Sequence, residues 1–169
     1  WQSRGAGVKQ KKMAVASELT GVAVLVCNLK AAATAFSEGQ DPEQLGCVYI
    51  ERRKARRPGL FVAKVVGNSM NLVAPAGAWC LWQRLGAKNV PPPLPGEYLL
   101  VRREDPVDPS LGDFTFKRWD RTETGARLSP VSRDPKYIAI VLTAEDEQHT
   151  TYLARFIERL DVDDTDFEK

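Results

Sequence analysis

This 169-residue chain is built from short apolar runs, each four to seven residues long and closed by glycine, proline or other turn residues. The runs are 22–27, 47–50, 60–66, 77–82, 97–102, 114–119, 137–142 and 152–157. Runs of this length, rich in β-branched and aromatic side chains, are typical of strands, and amphipathic helical periodicity is nearly absent. The alanine-rich stretch 31–35 is interpreted as extended chain or loop, with helix as the competing interpretation. The pattern predicts a mainly β domain with few or no helices.

The histidine, cysteine and apolar content narrows the chemistry that this chain can perform. The only histidine, His149, is predicted in an exposed loop, so no two-histidine zinc site can form and any Ser-His-Asp triad depends on that residue. The cysteines, Cys27, Cys47 and Cys80, are widely separated and form no CxxC pair, which favours a reducing, cytoplasmic compartment. No apolar run approaches the roughly 20 residues of a membrane helix. We therefore expect no metal, cofactor or membrane partner.

Two side chains have the chemistry of a nucleophile and its base. Ser69 follows the run 60–66 in a Gly-Asn-Ser-Met turn, and Lys117 lies 48 positions later (117 minus 69) within the run 114–119. A serine hydroxyl needs a base within hydrogen-bond reach, and a lysine kept neutral by apolar neighbours and the adjacent charge of Arg118 can supply one. The alternative is that the lysine points to water and the serine is only a turn residue. The lysine taken alone favours that alternative, and the two motifs together favour an active site through the family resemblance that follows.

These motifs resemble those of the LexA, UmuD and phage-repressor family of self-cleaving Ser/Lys peptidases. The family's apolar strand running into Gly-x-Ser-Met is matched by 61–70, and its Thr-x-Lys-Arg strand is matched by 115–118. Two glycine-initiated strands of the family fall where 77–82 and 96–102 lie, and the likeness covers about residues 24–160. It implies a LexA-like peptidase fold of short, strongly bent antiparallel sheets, in a module joined to a larger DNA-processing or phage-defence protein.

The resemblance also implies a role for each residue of the site. Ser69 is the nucleophile and Lys117 is the base, while the backbone amides of Ser69 and Met70 stabilise the oxyanion and the Met70 side chain packs beneath the turn. The family cuts an Ala-Gly or Cys-Gly bond in its own upstream segment, which corresponds here to the bond between Ala33 and Thr34 within residues 29–37. Threonine stands where the family has glycine, and its β-branched side chain restricts the tight turn that glycine permits.

The predicted domain organisation follows from these assignments. Residues 1–20 are predicted as a linker or truncated end, 21–162 as the peptidase domain and 163–169 as an acidic tail. Because the first segment is too short for a helix-turn-helix domain and begins without methionine, we expect a fragment of a longer protein. The literal Ala-Gly pair at Ala6–Gly7 is too remote from Ser69 to be preferred as the cleavage site.

Functions of different classes remain open at this stage. The first is autoproteolysis of the chain's own segment 29–37, coupled through the family resemblance to an SOS-type DNA-damage response or another stress. The second is a catalytically silent LexA-like module that dimerises or regulates an attached or partner DNA-binding or DNA-processing protein. Direct nucleic-acid binding by the basic cluster 52–57 is outweighed by a solvated loop, because no aromatic residue is interleaved with its charges.

Overall fold

The computed structural model describes residues 21–162, so the predicted linker, the acidic tail and the Ala6–Gly7 pair lie outside the described residues. Within that range the chain forms one nine-stranded mixed sheet with two short α-helices, which confirms the mainly β fold class. The strands are β1 (Gly21–Val26), β2 (Gly46–Glu51), β3 (Leu60–Lys64), β4 (Trp79–Arg84), β5 (Tyr98–Glu104), β6 (Gly112–Arg121), β7 (Gly125–Ser129), β8 (Ile140–Thr143) and β9 (Thr150–Arg159). The helices are α1 (Leu29–Ser37) and α2 (Ala144–Gln148), and a 3-10 turn covers Lys54–Arg56. Neither α-helix is long and apolar enough to cross a bilayer.

The strand order is β2-β1-β3-β4-β9-β5-β6-β7-β8. All neighbouring pairs are antiparallel except β1 and β3, which run parallel and share a single paired position, Val26 opposite Val62. The parallel pair arises because the chain reverses into β2 and reverses again before β3. Three strands separate β3 from β6, yet the segment following β3 hydrogen-bonds to β6, so the sheet is strongly curved.

Most strands coincide with the apolar runs of the sequence. Every strand except β7 falls on a predicted run, with its ends displaced by up to three residues. The sequence of β7, Gly-Ala-Arg-Leu-Ser, contains no β-branched residue and gives no strand signal of its own. Pairing with β6 and β8, together with burial of Ala126 and Leu128, holds it in the sheet.

The prediction of extended chain over residues 31–35 is wrong, because this stretch lies within α1. Alanine has the highest helix propensity, and Asn28 caps the helix by accepting a hydrogen bond from Ala31 N at 3.0 Å. Leu29, Ala32 and Ala33 are buried on one face, with the i, i+3, i+4 spacing of an amphipathic helix. Tertiary burial and the cap together select helix over the extended alternative.

The loop predicted around His149 also contains a helix. The side chains of Thr143 and Asp146 form a reciprocal capping box at the start of α2. His149 follows the last residue of α2, and its backbone carbonyl accepts a hydrogen bond from Glu104 N at 2.8 Å. The histidine is half-buried at a helix end, instead of exposed in a loop.

The largest core cluster lies under the candidate site. It joins α1 to β3, β4 and β6 through stacked and edge-on aromatic rings, in which Trp82 contacts Phe61, Phe116 and Phe156. Trp82 is fully buried, and Met70 and Ala33 belong to the same cluster. Aromatic packing of this kind fixes the relative positions of the strands that carry the serine and the lysine.

Candidate active site

The turn that carries Ser69 begins where β3 ends. Gly67 adopts a φ of +83°, a left-handed conformation that a side chain disfavours, and so turns the chain out of the strand direction. Two residues later Ser69 lies at the surface of the turn, and the next side chain, Met70, is 1% exposed within the core. The buried methionine anchors the turn from below, as the sequence analysis expected.

Lys117 lies near the middle of β6 with its side chain directed into the protein. Strand alternation places Asp113, Thr115 and Lys117 on one face of β6, and Phe116 on the other face packs into the aromatic cluster. Only 8% of Lys117 is exposed. The alternative of a lysine pointing to water does not describe this side chain.

The structure brings Ser69 and Lys117 into direct contact. Lys117 Nζ lies 2.7 Å from Ser69 Oγ, 2.6 Å from Thr115 Oγ1 and 3.2 Å from the carbonyl oxygen of Phe116. These three acceptors match the three protons of an ammonium group. After loss of one proton, the nitrogen lone pair can accept the hydroxyl proton of the serine. Thr115, which the sequence analysis used only as part of a motif, holds the amine beside that hydroxyl.

Burial is the main influence on the charge of the amine. It lowers the pKa of Lys117, because the charged form loses solvation inside the protein, and the carboxylate of Asp113 raises the pKa in opposition. The predicted contribution of Arg118 is not found. Its guanidinium lies on the other face of β6, half-exposed, with its Nε 3.2 Å from Asp120. Of the two causes expected from the sequence, desolvation lowers the pKa of Lys117, and the like charge of Arg118 is not among the causes.

The backbone amides of Ser69 and Met70 have no acceptor among the described residues. Both amides lie beside the serine hydroxyl along the chain. They are therefore free to donate to a negatively charged oxygen formed next to Ser69.

Residues 131–133, which the sequence analysis did not single out, hydrogen-bond to the Ser69 turn, and we call this contact the clasp. Val131 N donates to Ser69 O at 2.9 Å, and Ser132 Oγ donates to Asn68 O at 2.8 Å. The amide of Arg133 donates to Asn71 Oδ1 at 3.0 Å. Residues 131–133 follow β7 and come from the opposite end of the sheet order. A contact between segments this far apart in the chain gives no local sequence signal.

A cleft of about 390 Å³ lies next to the Ser69–Lys117 pair: Thr115 and Phe116, which accept hydrogen bonds from Lys117, line it, although Ser69 and Lys117 themselves do not. Its walls are formed by α1, by Val66 and by the first half of β6. Residues 112–117 pair with β5 on one side only, because pairing with β7 begins at Arg118. Over these residues one backbone edge of β6 therefore has no strand partner among the described residues and is available to pair with an extended segment.

The candidate cleavage bond lies in α1, on the wall of the same cleft. Ala33 lines the cleft and is fully buried, and its carbonyl oxygen accepts a hydrogen bond from Ser37 Oγ at 2.8 Å. Thr34 is exposed, and its hydroxyl donates to the carbonyl of Lys30 at 3.0 Å. Ala33 thus shares a cleft with Thr115 and Phe116, which accept hydrogen bonds from Lys117. It is helical and is not presented as an extended segment while α1 is folded.

No group of three or more His, Cys, Asp or Glu side chains within the described range could hold a metal ion. His149 belongs to neither the cleft nor the Ser69–Lys117 contact. A scan of the chain against models of known protein families finds no match, and a search of curated proteins finds no relative.

Proposed function

We propose that this domain is a serine peptidase in which Ser69 is the nucleophile and Lys117 is its general base. The observation that carries the proposal is the 2.7 Å contact between a buried, desolvated amine and a serine hydroxyl, next to a cleft lined by two residues that accept hydrogen bonds from the amine. A buried lysine with a lowered pKa is an unfavourable way to hold a turn together. It is a suitable way to activate an alcohol without histidine or metal.

Ser69 and Lys117 act in both steps of the proposed reaction. The neutral amine of Lys117 takes the hydroxyl proton as Ser69 Oγ attacks the peptide carbonyl, and the amides of Ser69 and Met70 stabilise the oxyanion. The ammonium then gives its proton to the departing amine, leaving an acyl group on Ser69. Water then loses a proton to Lys117 and attacks the acyl carbon. The bond from that carbon to Ser69 Oγ breaks, Lys117 returns the proton to the serine oxygen, and a carboxylic acid is released. Thr115 holds the lysine in line throughout.

The substrate we favour is the chain's own segment 29–37, cut between Ala33 and Thr34. Its support is the location of α1 on the wall of a cleft that is also lined by Thr115 and Phe116, the two residues that accept hydrogen bonds from Lys117 beside Ser69. For this bond to be cut, α1 must first unwind, so that the segment can lie extended along the open edge of β6. The reaction then depends on a conformational step as well as on chemistry.

The cellular setting of this proposal rests on the sequence resemblance. A LexA-like peptidase in the cytoplasm, attached to or paired with a DNA-binding or DNA-processing protein, is the expected context. Cleavage would release or inactivate that partner in response to DNA damage, phage attack or another stress. A homodimer of the domain belongs to the same expectation.

A second candidate is a catalytically silent module that regulates an attached or partner protein. It is favoured by the threonine at position 34, where the family has glycine, and by the helical state of the bond. In this case the fold and the Ser69 turn are retained but no peptide is cut. The two candidates differ in whether Ser69 is nucleophilic.

Reaction with a fluorophosphonate tests that nucleophilicity without knowledge of the substrate, because the serine oxygen displaces fluoride from phosphorus. We expect an adduct on Ser69 whose rate of formation rises with pH as Lys117 loses its proton. Lys117→Met should slow labelling by about 100-fold or more, which is typical for loss of a general base. Ser69→Ala should abolish it, and Ser110→Ala, an exposed loop serine, is the matched control.

Intact-mass measurement of the unlabelled protein reports autoproteolysis in the same samples. Fragments ending at Ala33 support cleavage of the chain's own bond. An adduct on Ser69 without such fragments leaves a peptidase whose substrate is another segment. Absence of any adduct, in protein with native thermal unfolding, overturns the peptidase proposal in favour of the silent module.

A further inference from the structure

One long stretch of this chain is basic because it contains no acidic residue. Residues 52–96 contain eight of the 24 Lys and Arg residues and no Asp or Glu. The whole chain has a net charge of only +2, so this distribution is local and is not a consequence of overall basicity. A local excess of one charge marks a surface for a partner of the opposite charge.

Five of these side chains form what we call the basic surface: Arg52, Arg53, Arg56, Arg57 and Lys88. All five are exposed, and none forms an ion pair or side-chain hydrogen bond within the described residues. Lys54, in the middle of the same cluster, differs because its Nζ pairs with Glu158 at 3.1 Å. One cation is therefore used to hold the 3-10 turn on β9, and the others remain directed to solvent.

Hydrogen bonds join the two loops that carry the basic surface. Arg84 N donates to Gly59 O at 2.8 Å, and Gln83 Nε2 donates to Pro58 O at 3.0 Å. Gly59 packs beside Ala87, the neighbour of Lys88, so the lysine lies at the same end of the molecule as the arginines. The cations are thus presented by a fixed framework, and not by a freely moving tail.

We propose that the basic surface binds the phosphate backbone of double-stranded nucleic acid without reading its sequence. Four of its five cations are arginines, whose planar guanidinium groups bind phosphate oxygens in a bidentate manner. A duplex supplies closely spaced phosphates in any register, which suits several fixed cations on adjoining loops. The surface contains no aromatic side chain on which a base of a single strand could stack.

An acidic protein is the less favoured partner. Protein interfaces derive most of their affinity from buried aromatic or apolar anchors at their centre. The 3-10 turn offers only the half-buried Ala55 between its charges. None of the five cations lines the cleft beside Ser69, so binding at this surface does not depend on the proposed peptidase.

The test is fluorescence anisotropy of a labelled duplex of arbitrary sequence with the full chain. With three to five phosphate contacts, raising salt from about 50 to about 200 mM should weaken binding by about 40- to 500-fold. The variant Arg52→Glu with Arg56→Glu should weaken binding by about tenfold or more at the lower salt. The matched control, Arg127→Glu with Lys136→Glu, changes the net charge equally at exposed positions on and beyond β7 and should alter affinity less than about threefold.

Three outcomes would overturn the proposal: no binding at low salt up to about 100 µM protein, equal losses in the two charge-reversal variants, or equal competition by polyglutamate and by unlabelled duplex. The milder pair Arg52→Gln with Arg56→Gln should give an intermediate loss, which guards against misfolding of the charge-reversed protein. Ser69→Ala should bind the duplex as the parent does. A failed peptidase assay and a failed binding assay are therefore separate results.

Discussion

Removing the side-chain cap of α1 should destabilise this helix without changing the lining of the cleft. Asn28 Oδ1 accepts the hydrogen bond of Ala31 N at 3.0 Å, and Asn28→Ala removes that cap. Neither residue lines the cleft beside Ser69 or contacts Lys117. If the bond between Ala33 and Thr34 is cut only after α1 unwinds, this variant should cleave itself faster than the parent.

The size of the effect follows from the cap. Loss of an Asn cap costs a helix about 1 kcal/mol, which corresponds to about a fivefold rise in the unwound fraction. Burial of Leu29 alone contributes about 2 kcal/mol to keeping α1 in place, so the unwound state remains a small minority in the variant. We therefore expect about fivefold faster formation of the fragment ending at Ala33, with the global unfolding transition nearly unchanged.

The assay is the time course of fragments by mass spectrometry at mildly alkaline pH, together with amide hydrogen exchange of residues 29–37. The matched control is Thr143→Ala, which removes the corresponding cap from α2 at a distance from the cleft. It should loosen α2 and leave the cleavage rate unchanged. If Asn28→Ala accelerates exchange in α1 but the cleavage rate stays within about twofold of the parent, unwinding of α1 is not the step that exposes the bond.

Further predictions concern single residues of the site. Thr34→Gly should cleave faster than Thr34→Ala, since both remove the β-branch but only glycine also loosens the helix by about 1 kcal/mol, as fragment yields would show. Lys117→Met should reduce the pH dependence of the unfolding free energy. Burial lowers the pKa of Lys117, so between that lowered value and 10.5 the unfolded parent binds more protons than the folded parent. The stability of the parent therefore rises with pH across this window. Chemical denaturation at several pH values measures this, and a parent curve that falls there would contradict the argument. Asp113→Asn removes the carboxylate that raises the pKa of Lys117, so fluorophosphonate labelling of Ser69 should reach its maximum at lower pH than in the parent.

Local sequence patterns predicted the features of the fold that depend on the alternation of side chains along a strand. The run 60–66 ending in a glycine turn predicted the strand that carries the serine, and strict alternation in β6 predicted that Lys117 and the phenylalanines occupy opposite faces. Both features depend on the two-residue period of a strand, which sequence records directly. The two-residue alternation of a strand does not indicate that Ser69 and Lys117 are close in space. Their proximity was expected only from the family resemblance.

Most of the errors lie where distant segments decide the structure. Alanines suit both helix and buried extended chain, and burial of Leu29 and Ala33 against the core selected helix for α1. The clasp by residues 131–133 likewise depends on contacts that cross the sheet. The expectation for Arg118 failed for a local reason. Sequence neighbours of Lys117 suggested a like charge, but strand geometry directs that charge to the opposite side.

The clasp on the Ser69 turn has a consequence for synthesis of the protein. Ser132 holds Asn68 across 64 positions of chain, and the base at Lys117 arrives 48 positions after the serine. A growing chain therefore carries its serine well before it carries either the base or the clasp, because contacts of such sequence separation form only when both segments are present. The order of elements along the chain delays assembly of the Ser69–Lys117 site until most of the domain has emerged from the ribosome.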